Sequence, residues 1–335
     1  MATSADPSSA SPSRCGRVIL WGFCAERGGD ILNAVSAGAA GTWRLGDLTV
    51  NRMGFGAMRL PQVGRAMEAS AAPSDRAAVI AVLRRAIELG VNHIDTAAFY
   101  FSRLRSANEL INAALSPYPD DLVIVTKVGP GRDARGEWLP AARPDQLRGQ
   151  VEENLRQLGR DHLDVVNYRV QTGVTSIAEH VGALAGLCQE GLIRHVGVSG
   201  VTPGQLAEAR SVTPVVCVQN RYFIGSTAAE HGFVRECEEQ GIAFVPFFSI
   251  AGEGRGAGPA GTEHPAVLEV ARAHGATPAQ VRVAWALQRG PHVLVIPGTG
   301  NPDHLASNVA AAALHLTPDE MTRLDSVSAH GERPG

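Results

Sequence analysis

The chain has 335 residues, a formal net charge of −3, 44% hydrophobic and 19% charged residues. That balance excludes a disordered chain, and with no Lys/Arg run it gives no footing for nucleic acid or an anionic membrane surface. No apolar segment reaches the ~18–20 residues that span a bilayer, and the length suits either two ordinary domains or one large α/β barrel.

In chain order, the first residues stand apart. "MATSADPSSASPSRCG" is small and polar and cannot repay the entropy of ordering. "RVILWGFC" is too short and poorly flanked for a signal peptide. The expected organisation is a loosely ordered extension over 1–41, one folded domain over 42–330 and a short tail over 331–335.

From Gly41 onward one pattern recurs: a helical stretch ends in glycine and a β-branched run follows. "VLRRAIELG" precedes "VNHID", "VEENLRQLG" precedes "LDVVNY", "LAGLCQEG" precedes "IRHVGVS", and "VRECEEQG" precedes "IAFVPFF". Glycine suits a helix C-terminus because the left-handed conformation costs it nothing. Ser74-Asp75 and Thr277-Pro278 are cap signals. Ile80, Leu83 and Ile87 mark an apolar stripe on the first helix.

Eight runs read as strands, near residues 55, 94, 124, 166, 197, 217, 245 and 295. Most are continuous apolar runs, as in parallel strands covered by helices. Eight strand–helix units predict a closed (β/α)8 TIM barrel. The competing doubly wound sheet wants a G-x-G-x-x-G turn after its first strand, and "MGFGAMRL" does not supply one.

In such a barrel the chemistry belongs at the C-terminal ends of the strands. Those positions hold Met58, Asp95, Tyr100, Lys127, Arg169, Ser199, Gln219, Phe247 and Thr299. An ammonium near a phenol favours the phenolate. Asp95 can hold Lys127 charged and leave Tyr100 to protonate a developing alkoxide. A buried structural ion pair beside an unrelated loop tyrosine is the competing reading. Five cysteines (Cys15, Cys24, Cys188, Cys217, Cys237) lack CxxC spacing and read as reduced thiols of a cytoplasmic protein. Eleven histidines show no HExxH-type spacing, so no metal site is expected.

"HIDTAAFY", "IVTKVG", "HVGVSG", "VCVQN" and "VIPGTGNPDHLASN" resemble, in order and spacing, the aldo-keto reductase superfamily over about residues 42–330. "VNHIDT", "LDVVN", "ATPAQV", "VPFF" and "IPGT" look like its bacterial pyridoxal reductase (pyridoxine 4-dehydrogenase) branch. The resemblance implies a TIM barrel that reduces a small carbonyl substrate with NADPH, with Tyr100 as proton donor. For cofactor contacts it implies Gly56, Ala57 and Met58 after the first strand, then Ser199 and Gln219. It adds Phe247, Phe248, Ile250 and Gly252 after the seventh strand, and Gly298, Thr299, His304 and Asn308 around the last helix start.

The chain also departs from that pattern. Five residues beyond Asp164, where the family usually has a histidine, stands Arg169, which has no acid–base function near pH 7. It either hydrogen-bonds the substrate or pairs with a carboxylate. Gly200 stands where asparagine is common. Many relatives have lysine and arginine where this chain has Gly298 and His304, so NADH is expected as a second cofactor. His93 reads as a core histidine. Trp138 offers an aromatic wall, and Arg221 and Tyr222 a further side of the substrate mouth. A cofactor-binding sensor with little turnover and a natural-product or sugar ketoreductase are the alternative functions. Nothing in the sequence fixes an oligomeric state.

Overall fold

In the computed structural model, which describes residues 35–68, 70–247 and 263–327, the apolar runs form short parallel strands. These are β1 (Phe55–Gly56), β2 (His93–Asp95), β3 (Val123–Val128), β4 (Leu163–Arg169), β5 (Ile193–Ser199), β6 (Val215–Gln219) and β7 (Ala243–Phe244). They hydrogen-bond in sequence order, and every neighbouring pair is parallel. Residues 293–295 supply the eighth position: Val293 bridges Phe244 and Val295 bridges Met53, again in parallel. The Gly54 N–H donates to the Val295 carbonyl at 2.8 Å, and the sheet closes as a (β/α)8 barrel.

Two runs are shorter as strands than their apolar sequences suggest. Pro246 has no N–H to give, and β7 stops two residues before it. The eighth run meets its neighbours through single bridges, where backbones crowd together. A Cβ on Gly298 would lie 2.1 Å from the Gly56 carbonyl oxygen, and one on Gly56 would lie 2.6 Å from that of Ile296. Only glycine fits at this seam.

The helices are α1 (Arg76–Glu88), α2 (Ala107–Leu115), α3 (Leu147–Leu158), α4 (Ala178–Gln189), α5 (Pro203–Val212), α6 (Ala228–Glu239), α7 (Pro265–Ala273), α8 (Pro278–Leu287), α9 (Pro302–Ala310) and α10 (Pro318–Asp325). Asp75 caps α1 through the Ala78 N–H, and Thr277 caps α8 in a box with Gln280. The buried stripe of α1 is Val79, Val82, Leu83 and Ala86, whereas Ile80 and Ile87 flank it half-exposed. The stripe is thus rotated from the expected one, with Leu83 common to both. Val35–Gly41 belongs to the folded part: Ala37 is buried and its N–H donates to the Leu89 carbonyl.

Apolar side chains divide into two layers. A small cluster of Val123, Val125, Val165, Cys217, Ala243 and Leu294 includes Leu45 and Val50 from an antiparallel hairpin, Thr42–Leu45 with Leu48–Asn51. The larger cluster lies between strands and helices. Side chains alternate along a strand, so Val123 and Val125 put Lys127 on the same face as themselves, at the C-terminal end.

Candidate active site

Register explains how the charged groups meet. Asp95 pairs with Val125 and Lys127 with Asn167, so the lysine comes from the tier beyond the aspartate and reaches back to it. Its Nζ lies 2.7 Å from both Asp95 carboxylate oxygens and 3.0 Å from the Thr96 carbonyl. Asp95 Oδ1 also accepts from Gln219 Nε2 at 2.7 Å. Asp95, Tyr100 and Lys127 are 4%, 7% and 5% exposed. A buried ion pair is tolerable only when its remaining hydrogen-bonding capacity is met, which the Thr96 carbonyl and Gln219 achieve.

The Tyr100 ring centroid is 4.9 Å from Lys127 Nζ, and the charge of the ammonium favours the phenolate. The net pKa of Tyr100 is nevertheless raised: burial outweighs the Lys127 charge, and Asp95 adds to the rise. The lysine's bias toward phenolate is real but smaller than the desolvation that opposes it. Lys127 itself titrates above its ordinary value. Burial pulls it down, but the Asp95 carboxylate, the neighbouring phenol and the ammonium's hydrogen bonds to Asp95 outweigh that. At neutral pH the site holds an ammonium and a protonated phenol.

A polar network behind the strands was not visible in the sequence reading. Thr96 donates to Asn108 Oδ1 at 2.7 Å, Asn108 Nδ2 to Asn154 Oδ1 at 2.9 Å, and Thr126 to the same oxygen at 2.6 Å. These threonines neighbour Asp95 and Lys127 in sequence. Their outward side chains tie β2 and β3 to α2 and α3. The available signal was Asn154 itself, which falls on the buried stripe of α3 with Leu147, Val151 and Leu158. A second unused signal is composition: Lys127 is the sole lysine in the chain.

Across the rim the groups are more loosely joined. Arg169 Nη1 donates to Ser199 Oγ at 3.2 Å, and Ser199 Oγ to Gln219 Oε1 at 3.4 Å. The Arg169 guanidinium lies 4.8 Å from the Phe247 ring centroid. Gly200 has φ 69°, and a Cβ there would come within 2.8 Å of Arg169 Nη1. The guanidinium thus lies in space that a side chain at 200 would approach.

Ala57 is buried, with its N–H on the Asp95 carbonyl, and Met58 is half-buried. Gly56 and Gly298 meet at the barrel seam described above. Thr299 Oγ1 accepts from the Asn301 N–H, and Asn301 caps α9 through the N–H groups of Asp303 and His304. His304 is exposed and Asn308 buried. Phe248, Ile250 and Gly252 lie outside the described residues. Trp138 is 51% exposed and 5.8 Å from the Phe99 ring. Arg221 is exposed and stacks on Phe223.

Tyr222 does not line the mouth. It is fully buried, stacked on Trp285, with its hydroxyl 2.6 Å from His231 Nδ1. Its aromatic surface gains more from the sheet–helix layer than from solvent. His93 is packed against Gly54 in the interior. A surface groove of 730 Å³, lined by Arg76, Ile80, Arg84 and Pro302 among others, shares no residue with the strand-end cluster. Among the described residues no group of three potential metal ligands gathers, and no helix is long and apolar enough to cross a membrane.

Comparison with known proteins agrees with this geometry. Pyridoxine 4-dehydrogenase of Escherichia coli (strain K12) is 44% identical over 296 residues, 87% of this chain and 99% of that protein. An uncharacterized oxidoreductase of Schizosaccharomyces pombe is 40% identical, covering 88% of this chain and 92% of its own length. The crystal structure of an aldo/keto reductase from Klebsiella pneumoniae, in complex with NADP and acetate, superposes with a TM-score of 0.69 at 27% identity. That match covers 85% of this chain and 94% of the other. The family model of the aldo/keto reductases matches residues 52–329, and the chain belongs to the aldo/keto reductase family.

Proposed function

We propose that this chain reduces an aldehyde to its alcohol with NADPH, Tyr100 supplying the proton, and that its substrate is an aromatic aldehyde of the pyridoxal kind. The observation that carries this reading is the buried Asp95–Lys127–Tyr100 cluster at the strand ends. The substrate class follows the name of the E. coli relative, and the cofactor follows the NADP held by the K. pneumoniae structure.

The residues fit the dinucleotide. Phe247 offers an aromatic face, and Ser199 and Gln219 a hydroxyl and an amide on the adjoining strands, a set that suits a nicotinamide and its carboxamide. Thr299 and His304 at the start of α9, with Asn308 further along it, would hold the adenosine end. When bound, the dinucleotide supplies the hydride for the carbonyl carbon. Tyr100 then gives its phenolic proton to the carbonyl oxygen, and Lys127, charged and held by Asp95, stabilises the phenolate left behind. Because burial keeps the phenol protonated, the acid form is present throughout the neutral range. Reduction weakens only as pH rises through the raised pKa, while alcohol oxidation gains there.

A cofactor-binding protein with little turnover is the second reading, favoured by Arg169 in the histidine position. The discriminating experiment follows NADPH oxidation against a panel of aldehydes and ketones that includes pyridoxal and sugar-derived carbonyls. Turnover of pyridoxal above the other members supports the first reading. NADPH binding with no turnover of any member supports the second.

A further inference from the structure

The loop after β3 carries a guanidinium that the chemistry above does not use. Arg132 is only 9% exposed, yet its side-chain hydrogen bonds among the described residues run to backbone carbonyls. Nη1 donates to Phe99 at 3.3 Å and to Phe101 at 2.8 Å, Nη2 to Met67 at 3.2 Å, and Nε to Gly136 at 2.9 Å. Four acceptors on three different βα loops converge on one side chain. Two of them flank Tyr100 on either side.

The same group organises the aromatic rings. Its Cζ lies 4.5 Å from the Phe101 ring centroid and 5.7 Å from that of Trp138. Phe99 meets Tyr100 edge-on at 5.1 Å and Trp138 at 5.8 Å. Met67 has φ 60°, the one non-glycine residue with positive φ among those described. So one of the clasped loops is held in a conformation that L-residues rarely adopt. Val63, Leu104, Trp138 and Leu139 are exposed, and all four lie on these loops. Exposed apolar surface is gathered where Arg132 holds the chain.

We propose that Arg132 is a positioning residue for proton transfer. By gripping the carbonyls before and after Tyr100 it fixes the phenol against Lys127. By holding Gly136 it sets Trp138 as the wall against which a flat aromatic aldehyde lies. This assignment rests on the reductase reading and refines its substrate class. Only the five-donor fork of arginine reaches three loops at once, whereas a lysine places a point charge.

The test compares Arg132→Met and Arg132→Lys with the unaltered protein. Arg132→Met should lower kcat for pyridoxal by roughly tenfold or more, since ångström-scale misplacement of a reacting group costs up to about 100-fold. NADPH affinity, read by fluorescence titration, should stay within about twofold, as Arg132 touches none of the proposed cofactor residues. In a Tyr100→Phe background the same substitution should lower kcat no further, because its influence on proton transfer runs through the phenol, while the loss of the Trp138 wall shows as a raised KM in both backgrounds. Arg132→Lys should recover little of the rate; if Arg132→Met does not fold, this variant takes its place in every comparison. Equal losses of kcat in both backgrounds, or an unchanged kcat, would overturn the assignment. If the unaltered protein reduces no aldehyde, the reductase reading fails instead, and the clasp is then read by acrylamide quenching of Trp138, isolated by difference with Trp138→Phe. Quenching should increase in Arg132→Met, and no increase would overturn the clasp.

Discussion

On the side of β2 and β3, Asp95, Lys127 and Tyr100 are each less than a tenth exposed and are joined by two 2.7 Å bonds and a 4.9 Å ring contact. On the side of β4 to β7 and α9, Arg169 and Phe247 are half-buried, His304 is exposed, and the bonds through Ser199 stretch to 3.2 and 3.4 Å. The first side keeps the residue types its chemistry needs. On the second, Arg169 and Gly200 depart from the pattern the resemblance implies, and the guanidinium lies against the glycine. Proton transfer depends on the identity of a few groups, and one lysine has been kept in a chain otherwise basic through arginine. Arginine could replace neither its compact charge nor its fit between Asp95 and Tyr100. In the proposed reading the nucleotide is held by more groups than the proton donor needs, so a single exchange there should cost less.

The largest effect should come from breaking the first side. Lys127→Met leaves Asp95 buried and unpaired, which costs about 3–5 kcal/mol of stability, and it should lower reduction by at least roughly 100-fold. Urea denaturation and NADPH oxidation read the two losses. Comparable damage from Arg169→Met would erase the contrast between the sides.

A smaller effect lies beneath the same side. Burial pushes the His93 pKa down to about 4, so the folded chain holds it neutral. Stability from this group is complete above its ordinary value near 6.5 and is lost as pH falls from there toward 4, by about 3 kcal/mol in all. Denaturation midpoints measured across that window should fall in the unaltered protein and flatten in His93→Gln.

The smallest effect belongs to the second side. Asp303 sits in the first turn of α9, where a negative charge opposes a phosphate. Asp303→Asn should tighten NADPH binding by about two- to fivefold, the 0.3–1 kcal/mol expected of one charge at a helix terminus, and leave NADH nearly unchanged. Fluorescence titration with both nucleotides checks this.

The sequence made the barrel legible because glycine-terminated helices and apolar strands repeat at regular spacing. It made the acid cluster legible because strand ends are where such a barrel keeps its chemistry. Other features depend on what lies across space. Tyr222 is separated by two residues from a strand-end glutamine, yet it turns into the core because Trp285 and His231 are there to receive it. The bridge from Asn108 to Asn154 joins residues on two helices, and each looks unremarkable on its own. Arg132 stands in a glycine- and proline-rich loop, and no local pattern reveals that three loops converge on it. The sign of the Tyr100 shift was missed for a related reason, since spacing identifies the neighbouring charge but not the depth of burial.

Tyr100→Phe tests the central claim most directly, with NADPH binding and pyridoxal reduction measured on the same preparation. In the proposed mechanism the phenol serves proton transfer and not nucleotide binding. Reduction should therefore fall by roughly 100-fold or more while nucleotide affinity stays within about twofold. Reduction at an undiminished rate, or loss of nucleotide binding together with turnover, would contradict it.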